Sequence, residues 1–309
     1  MSQKLAPIVI FVYRRDISDI IKKLLKNKLS SESKLYIFSD GYKSSLDKKD
    51  VTNVRKVLQN IKGFQSVKVY ESKLNKGLAN SIIDGVNLIL DKYNKIIVME
   101  DDLLVADNFL DYMNEALEFY EKQSNIWSIS GYSPNLNCLK TYNKDIYLTM
   151  RASSWGWATW KDRWSSIDWE IKEWDNFRKN KTEINEFNKS GNDMFKMLEL
   201  QMLGKIDSWA IRWCYNQFTQ RKYTIYPTKS KLVNIGFDNK GTHNSRGFER
   251  WDVDVSNTDV VFDSIEPDKQ IIECFKKYYN LKIITRFGYF LKKTGGYKIA
   301  KKLLNNLSK

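Results

Sequence analysis

The stretch Lys95-Ile96-Ile97-Val98-Met99-Glu100-Asp101-Asp102 decides how the chain is interpreted. An uninterrupted apolar run is typical of a parallel strand that is buried on both faces. Three neighbouring acids at its end repel one another unless a cation lies among them. Because ligands bind at the carboxyl ends of parallel strands, the stretch predicts a buried strand that ends in a metal and nucleotide site. The alternative is an acidic start to the following helix.

The same alternation extends on both sides of this stretch. Apolar runs predict strands at residues 7–13, 35–38, 67–70, 95–99 and 126–130. Apolar residues at helical spacing predict helices between them and after the acidic triplet. Alternating strands and helices indicate an α/β fold with a Rossmann-like, mostly parallel sheet, flanking helices and right-handed crossovers.

The pattern divides the chain into three parts. Residues 1–135 carry the alternation, residues 136–265 form a second half that closes over the sheet, and residues 266–309 form a basic tail. The second half is rich in tryptophan, with six of the ten between residues 155 and 174. Trp157, Trp160 and Trp164 have the spacing of one helix face, which is typical of core. Trp155 and Trp157, beside Gly156, are the predicted pocket residues.

Composition excludes several classes of site. The only histidine is His243, which excludes a multi-histidine metal site, and neither GxGxxG nor GxxxxGK[ST] occurs. The three cysteines, Cys138, Cys214 and Cys274, lie far apart in sequence and form no CxxC, which argues against a disulfide scaffold and suits a reducing compartment. The amino-terminal apolar run is interpreted as a strand rather than a signal peptide, so a cytoplasmic location is expected.

The formal net charge of +14 indicates an anionic partner. Residues 275–309 contain ten Lys or Arg and no Asp or Glu, interleaved with apolar residues. Such an amphipathic basic segment predicts contact with an anionic membrane surface, with the chain peripheral on the inner face of the cell membrane. The alternative is a helix docked on the domain with a solvated basic face. Nucleic acid is not expected as a partner, because no recognised module accompanies the charge.

Taken in order, these elements resemble the glycosyltransferases of the GT-A fold. The run from Val98 through the triplet to Phe109 is similar to the N-acetylglucosaminyltransferase I family. Bacterial polysaccharide glycosyltransferases share the same body and a block like Ser154-Trp155-Gly156-Trp157-Ala158-Thr159-Trp160. The resemblance covers about residues 7–245. It implies a hexosyl- or N-acetylhexosaminyltransferase with Mn²⁺ or Mg²⁺, a nucleotide-sugar donor in which UDP is favoured, and a glycan or lipid-linked saccharide acceptor. It makes residues 1–135 the nucleotide-sugar-binding half and residues 136–265 the acceptor-binding and catalytic half.

The resemblance also assigns roles to single residues. Asp102 would be the direct metal ligand, Asp101 a second ligand or ribose partner, and Glu100 a donor contact. Further nucleotide or donor contacts would come from positions that match the family's motifs or lie in the predicted pocket: Arg14, Asp40, Lys76, Trp155, Trp157, Thr242 and His243. The family has a histidine near Asn75–Lys76, and this sequence does not.

An inverting reaction also needs a base for the acceptor hydroxyl. The best match to the family's pattern lies in Lys205-Ile206-Asp207-Ser208-Trp209, where the second of two family acids is Ser208. Asp207 is therefore the predicted catalytic base, and the alternative is that it only caps the next helix. Two competing functions remain: a nucleotidyltransferase, which releases pyrophosphate, and a non-catalytic glycan-binding protein.

Overall fold

A computed structural model describes residues 5–236 and 253–281. Its main feature is an eight-stranded sheet with helices on both faces, so the predicted α/β fold with a mostly parallel, Rossmann-like sheet and flanking helices is confirmed. The strands of the large sheet are β1 Ile8–Val12, β2 Lys34–Ser39, β3 Ser66–Glu71, β4 Lys95–Glu100, β6 Ile126–Ser130, β7 Ile146–Thr149, β8 Trp157–Trp160 and β9 Tyr223–Pro227. Their spatial order is β3-β2-β1-β4-β8-β6-β9-β7.

The first four strands in this order run parallel, as the buried apolar runs predict. Of the eight strands in the large sheet, six run in one direction, and β7 and β8 run in the opposite direction. Strands β7, β8 and β9 belong to the second half, so that half completes the sheet as well as covering it. The large sheet therefore extends across the boundary predicted at residue 135, with strands from both sides of it.

The helices form two layers, one on each face of the sheet. They are α1 Ser18–Leu24, α2 Ser45–Leu58, α3 Leu78–Leu90, α4 Phe109–Phe119, α5 Lys161–Ser165, α6 Trp174–Phe177, α7 Lys181–Phe187, α8 Met194–Met202, α9 Trp209–Thr219 and α10 Lys269–Tyr279. Successive strand residues face opposite layers. Thus Ile97 packs in the layer of α1, α2 and α4, whereas Val98 packs in the layer of α3, α8 and α9.

The same alternation corrects the interpretation of the tryptophan block. Trp157 and Trp160 lie in strand β8 rather than on a helix, and they point into opposite layers. The ring of Trp157 is fully buried and lies 5.4 Å from the ring of Trp164 and 4.5 Å from that of Trp213, between ring centroids. The ring is packed in the core, and a donor contact of Trp157 stays a prediction. Trp155 keeps a partly exposed ring against Tyr132.

A second, two-stranded sheet lies next to the acidic triplet. Its strands are β5 Leu103–Val105 and β10 Leu232–Asn234, paired antiparallel so that Asn234 lies opposite Leu103. The buried Lys231 fixes the start of β10, since its Nζ donates to the carbonyls of Ser256 and Thr258 and to Asn108 Oδ1. The pairing carries the chain after β10 directly over the triplet.

The described part of the basic tail is a docked helix. Helix α10 buries Ile271, Phe275 and Tyr279 against β7 and β9. The ring of Tyr279 also stacks on Arg151, whose guanidinium forms a buried ion pair with Asp193. The docked-helix alternative thus holds for α10, and residues 282–309 lie outside the described residues. None of the described helices is long and apolar enough to cross a membrane.

Helix α10 also brings two of the separated cysteines together. Cys274 of α10 and Cys138, which precedes β7, share a hydrogen bond, and both are free thiols. Burial and this contact raise the pKa of the Cys138 thiol to about 12. Separation in sequence therefore did not mean separation in the fold.

Candidate functional site

The carboxyl ends of β1, β2 and β4 meet at one edge of the sheet, and the acidic triplet lies there. Each acid keeps a partly exposed surface. The backbone N–H of Tyr13, at the end of β1, donates to Asp101 Oδ2 at 3.0 Å. Burial and the charge of Asp102 raise the pKa of Asp101 to about 6, against the lowering effect of the Tyr13 bond. Burial and the two neighbouring aspartates raise the pKa of Glu100 well above its usual value.

Glycine is required where the chain passes over Asp102. The backbone N–H of Ile235 donates to the backbone carbonyl of Asp102 at 2.8 Å, which places Gly236 above the side chain. A Cβ on Gly236 would overlap with Asp102 Oδ2 and lie 2.9 Å from Asn234 Oδ1. The glycine thus lets the chain pass in direct contact with the carboxylate, which a side chain at this position would prevent.

Gly236→Ala should weaken metal-dependent nucleotide binding by at least about tenfold, because the new methyl group must displace Asp102 or the loop. Titration calorimetry with UDP and Mn²⁺ measures this directly. Gly204→Ala is the control for backbone strain alone: a Cβ there meets nothing within 4 Å, but the residue has a φ of 63°, so the variant should lose some stability and keep its nucleotide affinity. Equal affinity of Gly236→Ala and wild type would contradict the assigned position over Asp102.

The raised pKa of Asp101 predicts that the site costs stability when no cation is bound. The unfolded carboxyl ionises near pH 4, whereas the folded one ionises at about 6, so the folded state binds more protons between these values. Stability contributed by the protonated group is therefore present below about pH 4 and is lost as the pH rises through about 6.

Asp101→Asn should remove this cost while keeping an oxygen for the Tyr13 amide. In chelator, the variant should be more stable than wild type by about 2–3 kcal/mol at about pH 8, and by little at about pH 4. Urea unfolding at the two pH values measures the difference. Asp91→Asn, at an exposed position after α3, should change stability little at either pH. If the difference in unfolding free energy between Asp101→Asn and wild type is the same at both pH values, the surroundings of Asp101 do not disfavour its charged form.

Asp40 organises the neighbouring loop. Its Oδ1 accepts from the backbone N–H groups of Gly41 and Lys76, both at 2.9 Å. Its Oδ2 accepts from Asn75 Nδ2 and from the backbone N–H of Gly77, both at 3.0 Å. The carboxylate thereby holds residues 75–77 at the start of α3. A nucleobase contact of Asp40 stays a prediction, and the bonds its carboxylate accepts come from this loop and from Gly41.

Two cations predicted near the donor point elsewhere in this conformation. Arg14 Nη1 lies 3.9 Å from Asp47 Oδ1 and borders a surface cavity of about 300 Å³ beside α2. Lys76 Nζ lies 2.7 Å from Asp84 Oδ2. Arg15 is a cation whose charge lowers the pKa of Asp101, against the larger raising effect of burial. Sequence reasoning missed Arg15, because Arg14 and Arg15 both lie in the bend after β1 and no local pattern tells which of them faces the triplet.

Asp207 comes from the second half to the same edge of the sheet. Its Oδ2 lies 3.8 Å from the position that a Cβ on Gly77 would occupy, at the start of α3. The side chain is 62% exposed, and its Oδ1 lies 3.8 Å from Arg212 Nη2. The capping alternative is not observed, because Ser208 caps α9 by accepting from the Ile211 N–H. Thr242 and His243 lie outside the described residues.

The donor set fits a divalent cation of the Mg²⁺ or Mn²⁺ type. Such ions are bound through one or two carboxylates, with water and substrate phosphates completing the coordination. Asp101 and Asp102 supply two adjacent carboxylates, and both keep a partly exposed surface. Within residues 5–236 and 253–281, no group of three or more acids, cysteines or histidines is placed to bind a metal by itself. The protein would therefore provide only part of the coordination.

Comparison with solved structures finds remote likenesses. One is mannosyltransferase PcManGT from Pyrobaculum calidifontis, in complex with GDP-Man and Mn²⁺, at 11% identity and a TM-score of 0.33, covering 52% of this chain and 48% of that one. The match thus spans about half of the mannosyltransferase. The second is UDP-glucose pyrophosphorylase complexed with UDP-glucose, at 12% identity and a TM-score of 0.37, covering 75% of this chain and 94% of that one.

No protein-family profile matches the sequence, and no curated protein matches it either. At such identities and scores, the structural likenesses carry no argument about the chemistry of this chain.

Proposed function

We propose that the protein is a metal-dependent, inverting glycosyltransferase that moves a sugar from a nucleotide-diphosphate donor, with UDP favoured, to a glycan or lipid-linked saccharide. The observation that carries the proposal is the meeting of two different acidic groups at one sheet edge. Glu100, Asp101 and Asp102 are adjacent and only partly exposed, whereas Asp207 is exposed beside the start of α3. Carboxylates in contrasting surroundings are suited to different roles.

The acidic triplet suits the donor. Asp102 and Asp101 would hold the cation, which when bound supplies positive charge that stabilises the leaving diphosphate. The Tyr13 amide orients Asp101, and the chain at Ile235 and Gly236 holds the backbone of Asp102 in place. Glu100 would contact the donor from the end of β4.

Asp207 suits the acceptor. An exposed carboxylate can approach the attacking hydroxyl and accept its proton as the new glycosidic bond forms. Arg212 is held by the backbone carbonyls of Ser208 and Trp169, and it keeps a positive charge near Asp207.

The acceptor assignment extends to bacterial surface polysaccharide synthesis at the cytoplasmic face of the membrane. The positive charge of residues 275–309 supports it, since such a segment is attracted to anionic lipid headgroups. A lipid-linked acceptor would be presented at that surface.

A thermal-shift screen of nucleotide sugars, with and without Mn²⁺, tests the proposal. We expect a UDP-sugar to raise Tm only when Mn²⁺ is present, because ligand that binds the folded state alone stabilises it. Incubation of the identified donor with saccharide acceptors should then release nucleoside diphosphate. Release of pyrophosphate would indicate a nucleotidyltransferase instead, and no shift with any nucleotide sugar would indicate a non-catalytic protein.

A further inference from the structure

Four large apolar side chains lie exposed beside the ends of β2 and β3. We name them the rim patch: Tyr42 (44% exposed), Leu46 (87%), Leu74 (78%) and Leu78 (50%). Single exposed apolar residues are ordinary on protein surfaces, but a cluster of them marks a site of interaction.

Observed contacts bring the members of the rim patch together. The backbone of Gly41 packs against that of Leu74 so closely that a Cβ would overlap with it, and Asn75 Nδ2 donates to the Gly41 carbonyl at 2.8 Å. Tyr42 and Leu74 therefore flank one backbone contact. The bond from the Gly77 N–H to Asp40 brings Leu78 to the same place.

The first turn of α2 completes the rim patch. Lys48 Nζ lies 5.8 Å from the centroid of the Tyr42 ring, which sets this turn against Tyr42. Leu46 lies in the same turn. Its side chain is the most exposed of the large apolar side chains in the described residues.

The charge around the rim patch is positive. Five exposed lysines lie within the two segments that carry it: Lys43, Lys48, Lys49, Lys73 and Lys76. Two acids of the same segments are engaged elsewhere, because Asp47 accepts from the Tyr13 hydroxyl and Glu71 pairs with Arg55. The other acids nearby are Asp50, on the following turn of α2, and Asp84, which pairs with Lys76. The surface therefore combines protruding leucines with an excess of lysine.

We propose that the rim patch docks the protein on an anionic bilayer, with Leu46 and Leu74 entering among the headgroups and the lysines contacting lipid phosphates. Apolar side chains within a ring of basic ones are the usual composition of an interfacial membrane contact. Protein interfaces, in contrast, are depleted in lysine. Because Asp40 lies under the rim patch, docking would set the sheet edge that carries the triplet next to the membrane surface. The proposal does not require the chain to be a transferase.

Co-sedimentation of the full chain with vesicles tests the docking. Wild type should bind vesicles of phosphatidylglycerol and phosphatidylcholine more tightly than vesicles of phosphatidylcholine alone. The double variant Leu46→Ser, Leu74→Ser should bind the anionic vesicles at least about tenfold more weakly, because it loses two apolar side chains that would leave water. Both positions are exposed, so circular dichroism and Tm should match wild type.

A matched double variant, Leu88→Ser, Val261→Ser, changes exposed apolar residues away from the rim patch and should bind like wild type. All proteins share the same tail, so its contribution cancels in the comparison. Equal binding of anionic vesicles by the Leu46, Leu74 variant and wild type overturns the proposal. Wild type that binds anionic vesicles no more tightly than phosphatidylcholine vesicles overturns it as well. Sedimentation velocity that shows self-association lost only in the Leu46, Leu74 variant, with vesicle binding retained, would assign the patch to a second copy and also overturn it.

Discussion

Asp102→Asn should lower sugar transfer by roughly a thousandfold or more and abolish the dependence of nucleotide binding on Mn²⁺. The amide keeps the size of the side chain but removes the negative charge that a hard cation requires. The backbone of the loop should be preserved, because the Ile235 N–H binds the backbone carbonyl of residue 102 and not its side chain. Fold and stability should therefore persist while activity is lost. The measurements are kcat/KM with the donor found by thermal shift and calorimetric titration of UDP with and without Mn²⁺.

Asp91→Asn is the matched control for this prediction. Asp91 is an exposed aspartate at the end of α3, and its substitution replaces one carboxylate with an amide, as Asp102→Asn does. It should leave both activity and nucleotide affinity unchanged. If Asp102→Asn keeps Mn²⁺-dependent binding at the wild-type level, the metal site does not lie at the triplet.

The features that the sequence predicted well are those set by local pattern. The run 95–99 is apolar on both faces because β4 is covered by helices on both sides, so both period and composition indicate a buried parallel strand. The end of such a strand must lie at the sheet edge, which is why the position of the triplet at that edge follows from the sequence. Asp40 follows β2 for the same reason.

The features that the sequence did not predict depend on contacts between distant segments. The need for glycine at residue 236 arises only from the approach of β10 to β5, more than a hundred residues earlier in the chain. Trp157 and Trp160 were assigned to a helix face, whereas they lie in strand β8. A strand of four residues with a tryptophan at each end has the same short apolar pattern as one turn of a helix. Cys138 and Cys274 meet only because α10 docks on β7 and β9. No local period contains this information.

The triplet and Asp207 should respond differently to the loss of a carboxylate, which makes the second prediction the sharper test of mechanism. Asp207→Asn should lower kcat by roughly a hundred- to ten-thousandfold, because an amide cannot accept the proton of the acceptor hydroxyl. Nucleotide affinity should stay at the wild-type level, since the donor side of the site keeps all its acids. Steady-state kinetics and UDP calorimetry on the same preparation measure the two quantities.

Ser208→Ala separates this chemical role from a structural one. Ser208 caps α9 with a bond to the Ile211 N–H, so its loss should cost about 1 kcal/mol of stability while turnover stays near wild type. Asp207→Asn should show the opposite pattern, with normal stability and lost turnover, because its side chain is exposed and forms no cap. Lost nucleotide binding in Asp207→Asn would instead assign Asp207 to the donor, since it lies beside Gly77 in the loop that Asp40 holds. If Asp207 is a base for the acceptor, its substitution lowers kcat and leaves nucleotide affinity unchanged. If Asp207 is a ligand of the donor, its substitution lowers nucleotide affinity.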